Sequence, residues 1–142
     1  MILPDVNVLV YAFRSDTAEH EKSSAWLEEA LDGDEPVGIA SLILSGFLRV
    51  VTHPRIFTPP DTIDVALSFA DALHSQPIAV TVAPGPRHWS IFTRLCEEAN
   101  TTGNLVPDAY VAALAIENGC ELVTTDRDYA RFPGLRWRHP FR

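Results

Sequence analysis

Short apolar runs with strand character alternate with longer stretches of helical periodicity along the whole chain, and that alternation admits few folds. Residues 2–4 read as a buried strand that passes directly into a helix over 6–13. Residues 17–31 form the next helical stretch, with Ala18, Ala25, Trp26 and Ala30 on its expected inner side and Gly33 closing it. A strand at 37–40 leads to a helix over 41–52, where Leu44, Phe47, Leu48 and Val51 recur at helical spacing and His53-Pro54 stops the run. Asp61 is placed to cap a helix carrying Val65, Phe69 and Leu73, followed by a strand at 78–82 and a helix over 87–99 with Trp89, Phe92, Leu95 and Cys96 inward. A polar loop, a helix over 108–118 ended by Gly119, and strands at 121–125 and 135–138 complete the chain. Parallel strands need crossover connections, so this order predicts an α/β fold: a mainly parallel central sheet covered by helices on both faces, in three α/β/α layers.

With 142 residues, 46% of them hydrophobic, the chain can bury one substantial core, and residues 1–142 are expected to form a single domain. No apolar stretch approaches the roughly 20 residues that span a bilayer, and an acid stands at position 5 where a secretory signal would carry a base. The expectation is a cytoplasmic protein with no membrane partner. Cys96 and Cys120 lack CxxC spacing and a neighbouring histidine cluster, which argues against a zinc site and requires no disulfide.

The formal charge of −8 argues at first against a nucleic-acid partner, yet it is unevenly spread. Between residues 15 and 35 eight acids face the one base Lys22, while the stretch from Tyr129 onwards has Arg131, Arg136, Arg138 and Arg142 and no acidic side chain. Ten of the eleven basic residues are arginines, which suit bidentate phosphate contact and stacking on bases. A solvated acidic helix face with a tail pairing to it is the simpler account of charge alone.

Asp5, Asp108 and Asp126 carry the chemistry. Asp5 and Asp126 follow strands, and Asp108 lies in the first turn of a helix, so an α/β sheet brings all three towards its carboxyl edge, where ligands of such folds collect. Taken singly, each has an ordinary role as a cap or turn residue. Gathered together they repel one another, and a cation between them offsets that repulsion. Oxygen donors alone suit Mg²⁺, with Mn²⁺ as the other candidate.

Asp5-Val6-Asn7-Val8-Leu9, Phe47-Leu48-Arg49-Val50-Val51-Thr52, Pro107-Asp108-Ala109 with Ala112-Ala113-Leu114-Ala115, and Thr124-Thr125-Asp126-Arg127-Asp128-Tyr129 with Phe132-Pro133-Gly134-Leu135 stand in this order along the chain. Together they resemble the PIN-domain family, and more narrowly VapC, the toxin ribonucleases of VapBC toxin-antitoxin pairs. The resemblance covers the whole chain. It implies the toxin component of a type II toxin-antitoxin system: a Mg²⁺- or Mn²⁺-dependent endoribonuclease, usually a homodimer, held inactive by a cognate VapB-like antitoxin. Carried over by position, Asp5, Asp108 and Asp126 are the metal-binding and catalytic acids, with Asn7 and Asp128 as polar neighbours; Asn104, in the loop before Asp108, is a further candidate neighbour by its place in the chain. Arg14, Arg49, Arg127 and Arg131 are the arginines expected near the cleft to hold RNA phosphates.

One position departs from the family pattern. The glutamate that the family generally places one residue before Phe-Leu-Arg is Gly46 here. Close packing, a disabled site, and a different ligand set with Glu97, Glu98 or Asn104 approaching instead all remain open. Two other classes therefore stand beside the ribonuclease: a catalytically weak or inactive PIN-like module acting through protein binding, and a metal-dependent phosphatase of the haloacid-dehalogenase kind. The phosphatase wants an acid where Asn7 stands and a lysine late in the chain, whereas the only lysine is Lys22.

Overall fold

The computed structural model describes residues 1–142. Strand β1 (Ile2–Pro4) is followed by helices α1 (Val6–Phe13) and α2 (His20–Asp32), β2 (Val37–Ile39), α3 (Ser41–Val51), α4 (Ile63–His74), β3 (Ala79–Thr81), α5 (His88–Ala99), α6 (Leu105–Glu117), β4 (Glu121–Val123), a 3₁₀ turn (Arg127–Arg131) and β5 (Trp137–Arg138). All strand pairs are parallel, in the order β3-β2-β1-β4-β5. The chain winds outwards from β1 through β2 to β3, then returns to the other side of β1 for β4 and β5. Right-handed crossovers put the helices of these two halves on opposite faces. Accordingly α1 packs on α2 and α3, and α3 on α4, while α5 packs on α6. The expected three-layer architecture is the observed one.

Thirty buried residues form the hydrophobic core. Leu3, Leu122 and Val123 line its centre, and Phe13, Phe47 and Phe69 from three helices meet with ring centroids 5.0–5.3 Å apart. Helix faces are where local patterning misleads. In α2 the buried positions are Ser23 and Leu27 rather than Ala25, and in α4 they are Ala66, Ala70 and Leu73, while Val65 is 52% exposed. Trp89 is exposed, because α5 turns His88 and Leu95 inward instead.

Helix α6 begins three residues before Asp108. Pro107 fits its first turn, where backbone N–H groups have no intrahelical acceptor to lose. Its far end is closed as expected by Gly119, at φ +66°: the Cys120 N–H donates to the Ala115 carbonyl and the Gly119 N–H to the Ile116 carbonyl.

Gly46 marks the closest approach of α3 to α1. A Cβ placed there would lie 2.9 Å from Cγ2 of Val6, a β-branched side chain with little freedom to move aside. The close-packing account of this glycine follows. Gly46→Ala is expected to lower the thermal midpoint, because overpacking typically costs about 1–3 kcal/mol, against the roughly 1 kcal/mol that alanine gains over glycine in a helix. In a Val6→Ala background the same substitution should stabilise. Equal effects in both backgrounds, measured by urea denaturation, would remove the Val6 contact as the reason for the glycine.

Candidate metal centre

The chain's reversal of direction between β1 and β4 opens a crevice at the carboxyl edge of the sheet, the usual ligand position of an open parallel fold. Three paired positions, Ile2 with Glu121, Leu3 with Leu122 and Pro4 with Val123, bring Asp5 level with Thr124. The Asp5 N–H donates to the Val123 carbonyl at 2.9 Å, which fixes where β1 ends. Its carboxylate is held from two sides: Oδ1 accepts the Val6 N–H at 2.8 Å as the cap of α1, and Oδ2 accepts the Thr124 hydroxyl at 2.8 Å.

Asn7 locks the same corner. Its Nδ2 donates to Thr124 Oγ1 at 3.1 Å and to Asp5 Oδ2 at 3.4 Å, and its Oδ1 accepts the Thr125 N–H at 3.2 Å. Thr124 Oγ1 also accepts the Asp126 N–H at 3.1 Å, and Asp126 Oδ1 accepts the Asp128 N–H at 2.9 Å, capping the 3₁₀ turn. Tyr129, buried behind this turn, sends its hydroxyl against both Asp5 and Asp108, 3.5 Å from Asp108 Oδ1.

The electrostatics are those of crowded carboxylates. Burial raises the Asp5 pKa, opposed by the hydrogen bonds from Thr124 and Val6, and the Asp126 charge raises it further. Burial, then the charges of Asp126 and Asp5, push Asp108 up to about 6. The Tyr129 phenol is held well above its ordinary value by burial and by the three carboxylates around it. The donors that face one another are therefore oxygens only, and their charges are mutually destabilising. Such a set suits a hard divalent cation. No three histidine, cysteine or carboxylate groups stand close enough to ligate one ion all at once. An ion held by one or two carboxylates with several retained waters is consistent with that spacing.

Asp5, Asp108 and Asp126 share a cleft of about 1010 Å³, which also takes in Asn7, Asn104 and Arg49. Beyond the acids it is walled largely by apolar side chains, among them Leu42, Ile56 and Val106, each well exposed. The family model for the PIN domain matches residues 2–135, nearly the full length over which this geometry is built. The chain belongs to the PIN-domain family.

Its similarity to individual members extends over its whole length. It is 45% identical over 140 residues to Ribonuclease VapC43 of Mycobacterium tuberculosis, covering 99% of this chain and 95% of that one. Ribonuclease VapC25 of the same organism is 40% identical, with 99% of both chains covered. Among solved structures, VapBC2 from Rickettsia felis, bound to a DNA fragment from its promoter, superposes with a TM-score of 0.73 at 20% identity, covering 98% of each chain.

Within this PIN domain the expected arginines divide. Arg49 lines the cleft and is exposed, and Arg127 is exposed directly after Asp126; neither takes part in an ion pair. Arg131 is exposed outside the cleft and lies 3.9 Å from Asp128. Arg14 does not serve as a phosphate contact. It is buried, pairs with both Asp16 and Asp61, donates to the Pro59 carbonyl, and lies 4.1 Å over the Phe57 ring. With its donors committed to the loop before α4, this guanidinium is structural.

Asn104 reaches the cleft from the start of α6, whereas Glu97 and Glu98 do not line it. Thr124 and Tyr129 belong to the centre, although sequence reasoning does not single them out. The available signal is their spacing: Thr124 directly follows β4, two residues before Asp126, and Tyr129 follows three after it.

A pH dependence follows for the metal-free PIN domain. Asp108 has a folded pKa of about 6 against 3.8 ordinarily, so between about pH 4 and about pH 6 the folded state holds the extra proton. Its contribution to stability therefore falls as pH rises through that window and stays lost above it. Asp108→Asn removes this penalty. Its stability relative to wild type, read from urea midpoints with chelator present, should increase from pH 4 to pH 6 and level off. A difference independent of pH would show that Asp108 is not crowded by the other acids.

Proposed function

We propose that this PIN domain is the toxin of a type II toxin-antitoxin pair and a Mg²⁺-dependent endoribonuclease, with Asp5, Asp108 and Asp126 as its catalytic, metal-binding acids. The observation that carries this reading is the mutual electrostatic coupling of three aspartates from distant stretches of chain in one cleft at the switch point of the sheet. Relatives named as ribonucleases, at 40–45% identity over almost the entire chain, support the choice of RNA as substrate. Bound Mg²⁺ or Mn²⁺ would supply an activated water and charge neutralisation at the phosphodiester.

The protein's own residues do the rest. Asp5 is fixed by Val6 and Thr124, and Asp126 is held by its bond to Asp128, so two acids are oriented before substrate arrives. Asn7 is fully engaged with Thr124 and Thr125, which leaves it a positioning residue. It cannot act as the general acid that the phosphatase alternative requires. Arg49, which lines the same cleft, would contact an RNA phosphate, and Asn104, lining it too, would stand beside the metal-binding acids. The inactive-module alternative draws on Gly46, but the Val6 contact gives that glycine a packing reason independent of catalysis.

The partner in this reading is a VapB-like antitoxin, supported by likeness to VapBC complexes. An arginine from it would neutralise the acid cluster by bidentate pairing, and the apolar walls beside the acids suit the rest of its segment. Exposed Ile63 and Leu67, one turn apart on α4, support a two-fold contact between copies.

Asp108→Asn should abolish Mg²⁺-dependent cleavage of single-stranded RNA while leaving the fold intact, as should the equivalent changes at Asp5 and Asp126. Cleavage at the wild-type rate would reduce Asp108 to a helix-start residue. Antitoxin binding should weaken as Mg²⁺ is titrated in, and Asp126→Asn should weaken it as well. An affinity indifferent to both would exclude an arginine on the acids.

A further inference from the structure

The carboxyl edge of the sheet also brings basic side chains close to the acids. Strand β5 runs parallel to β4 with Arg138 opposite Val123, and the Thr124 N–H donates to the Arg138 carbonyl at 3.1 Å. His139 therefore leaves the sheet level with Thr124, beside the acids and one strand further out. Phe141 folds back on it: the Phe141 N–H donates to His139 Nδ1 at 3.2 Å, and the two rings meet edge to face with centroids 5.2 Å apart. Lys22, from the start of α2, stands 5.9 Å over the Phe141 ring.

Burial and the charges of Arg142, Arg127 and Lys22 all lower the His139 pKa, so three cations from three separate stretches lie close enough to act on one imidazole. None of the three joins any of the five ion pairs in the molecule. In a chain of net charge −8, these exposed cations outside any ion pair are groups on this edge of the sheet that can attract an anion. Because Nδ1 accepts from Phe141, the neutral ring carries its proton on Nε2 and can donate it in a hydrogen bond to a phosphate oxygen.

We propose that Lys22, Arg127, His139 and Arg142 form a phosphate-binding patch that holds the RNA backbone to one side of the scissile bond, so that a neighbouring phosphodiester enters the aspartate cleft. The patch rests on the ribonuclease reading and extends it. A polyanion approaching an acidic protein needs local cations to be retained, and Arg127 joins the two clusters, being the residue after Asp126.

The test is binding of a fluorescent single-stranded RNA oligonucleotide to full-length protein in an Asp108→Asn background, titrated over salt, together with cleavage of the same oligonucleotide by wild type. Lys22→Ala combined with Arg142→Ala should weaken binding about tenfold or more and reduce the slope of log affinity against log salt by about 0.7 for each phosphate that is no longer neutralised. Arg136→Ala, at the opposite end of β5, removes a charge as well and should leave the slope unchanged. Should the alanine pair lower the thermal midpoint, Lys22→Gln with Arg142→Gln keeps the stems and gives the same reading. Wild-type affinity and slope in the double variant, while wild type cleaves the oligonucleotide, would overturn the patch alone. Reduced affinity for antitoxin with RNA binding intact would also overturn it and assign the cations to the antitoxin. Failure of wild type both to bind and to cleave the RNA would remove the ribonuclease reading and the patch with it.

Discussion

The pairing of β1 with β4 is the constraint on which the rest of this molecule depends. These two short strands come from opposite ends of the chain, and their register joins Asp5 to Thr124 across 119 residues. A slip by one residue would carry Asp5 away from the Thr124 hydroxyl and turn its side chain to the other face of the sheet. The register is defended by full burial of Leu3, Leu122 and Val123, so the apolar core sets the position of the acids. Hydrogen bonds from Val6, Asn7 and Thr124 then set their orientation.

Such a site works against the stability of the domain that holds it. Asp5 is nearly enclosed, Asp108 is half-buried, and the charge of Asp5 raises the proton affinity of Asp108 as that of Asp126 raises both. Hydrogen bonds to a carboxylate compensate only in part, as the net upward shift of Asp5 demonstrates. The remainder is offset by a core of thirty buried residues on both faces of the sheet. Tyr129 illustrates the exchange: its ring is buried against Phe132, with centroids 6.0 Å apart, while its hydroxyl faces two acids.

Element order and the three aspartates are legible in sequence because both depend on local pattern: apolar runs of different period, and acids at their ends. What local pattern omits is the direction in which a side chain points once elements pack. Arg14 follows a helix near the acids by sequence, yet its guanidinium turns to Asp16 and Asp61 because the loop before α4 returns across it. Trp89 has the composition of a core residue, and only the pairing of α5 with α6 leaves it facing solvent. Thr124 and Tyr129 escape a reading built on charge because neither carries one. Their importance arises from contacts spanning 119 and 21 residues, respectively, which no window along the chain contains.

Gly46 links packing to chemistry. Asp5 caps α1, so the position of that carboxylate depends on where α1 begins, and Val6 is the first residue of the helix. The same Val6 leaves no room for a Cβ at residue 46 of α3. A side chain there would press on the very turn that Asp5 orients, so the family glutamate cannot simply be added to this backbone as a further donor. In this chain α1 and α3 approach closely where that acid generally stands, and under the proposed reading the donor set would be aspartates with polar neighbours such as Asn104. With fewer carboxylates to hold a cation, more of its coordination would fall to water and to the phosphate itself. Substrate held in place by cations along the same edge of the sheet would then matter more for this domain than for one with four acids.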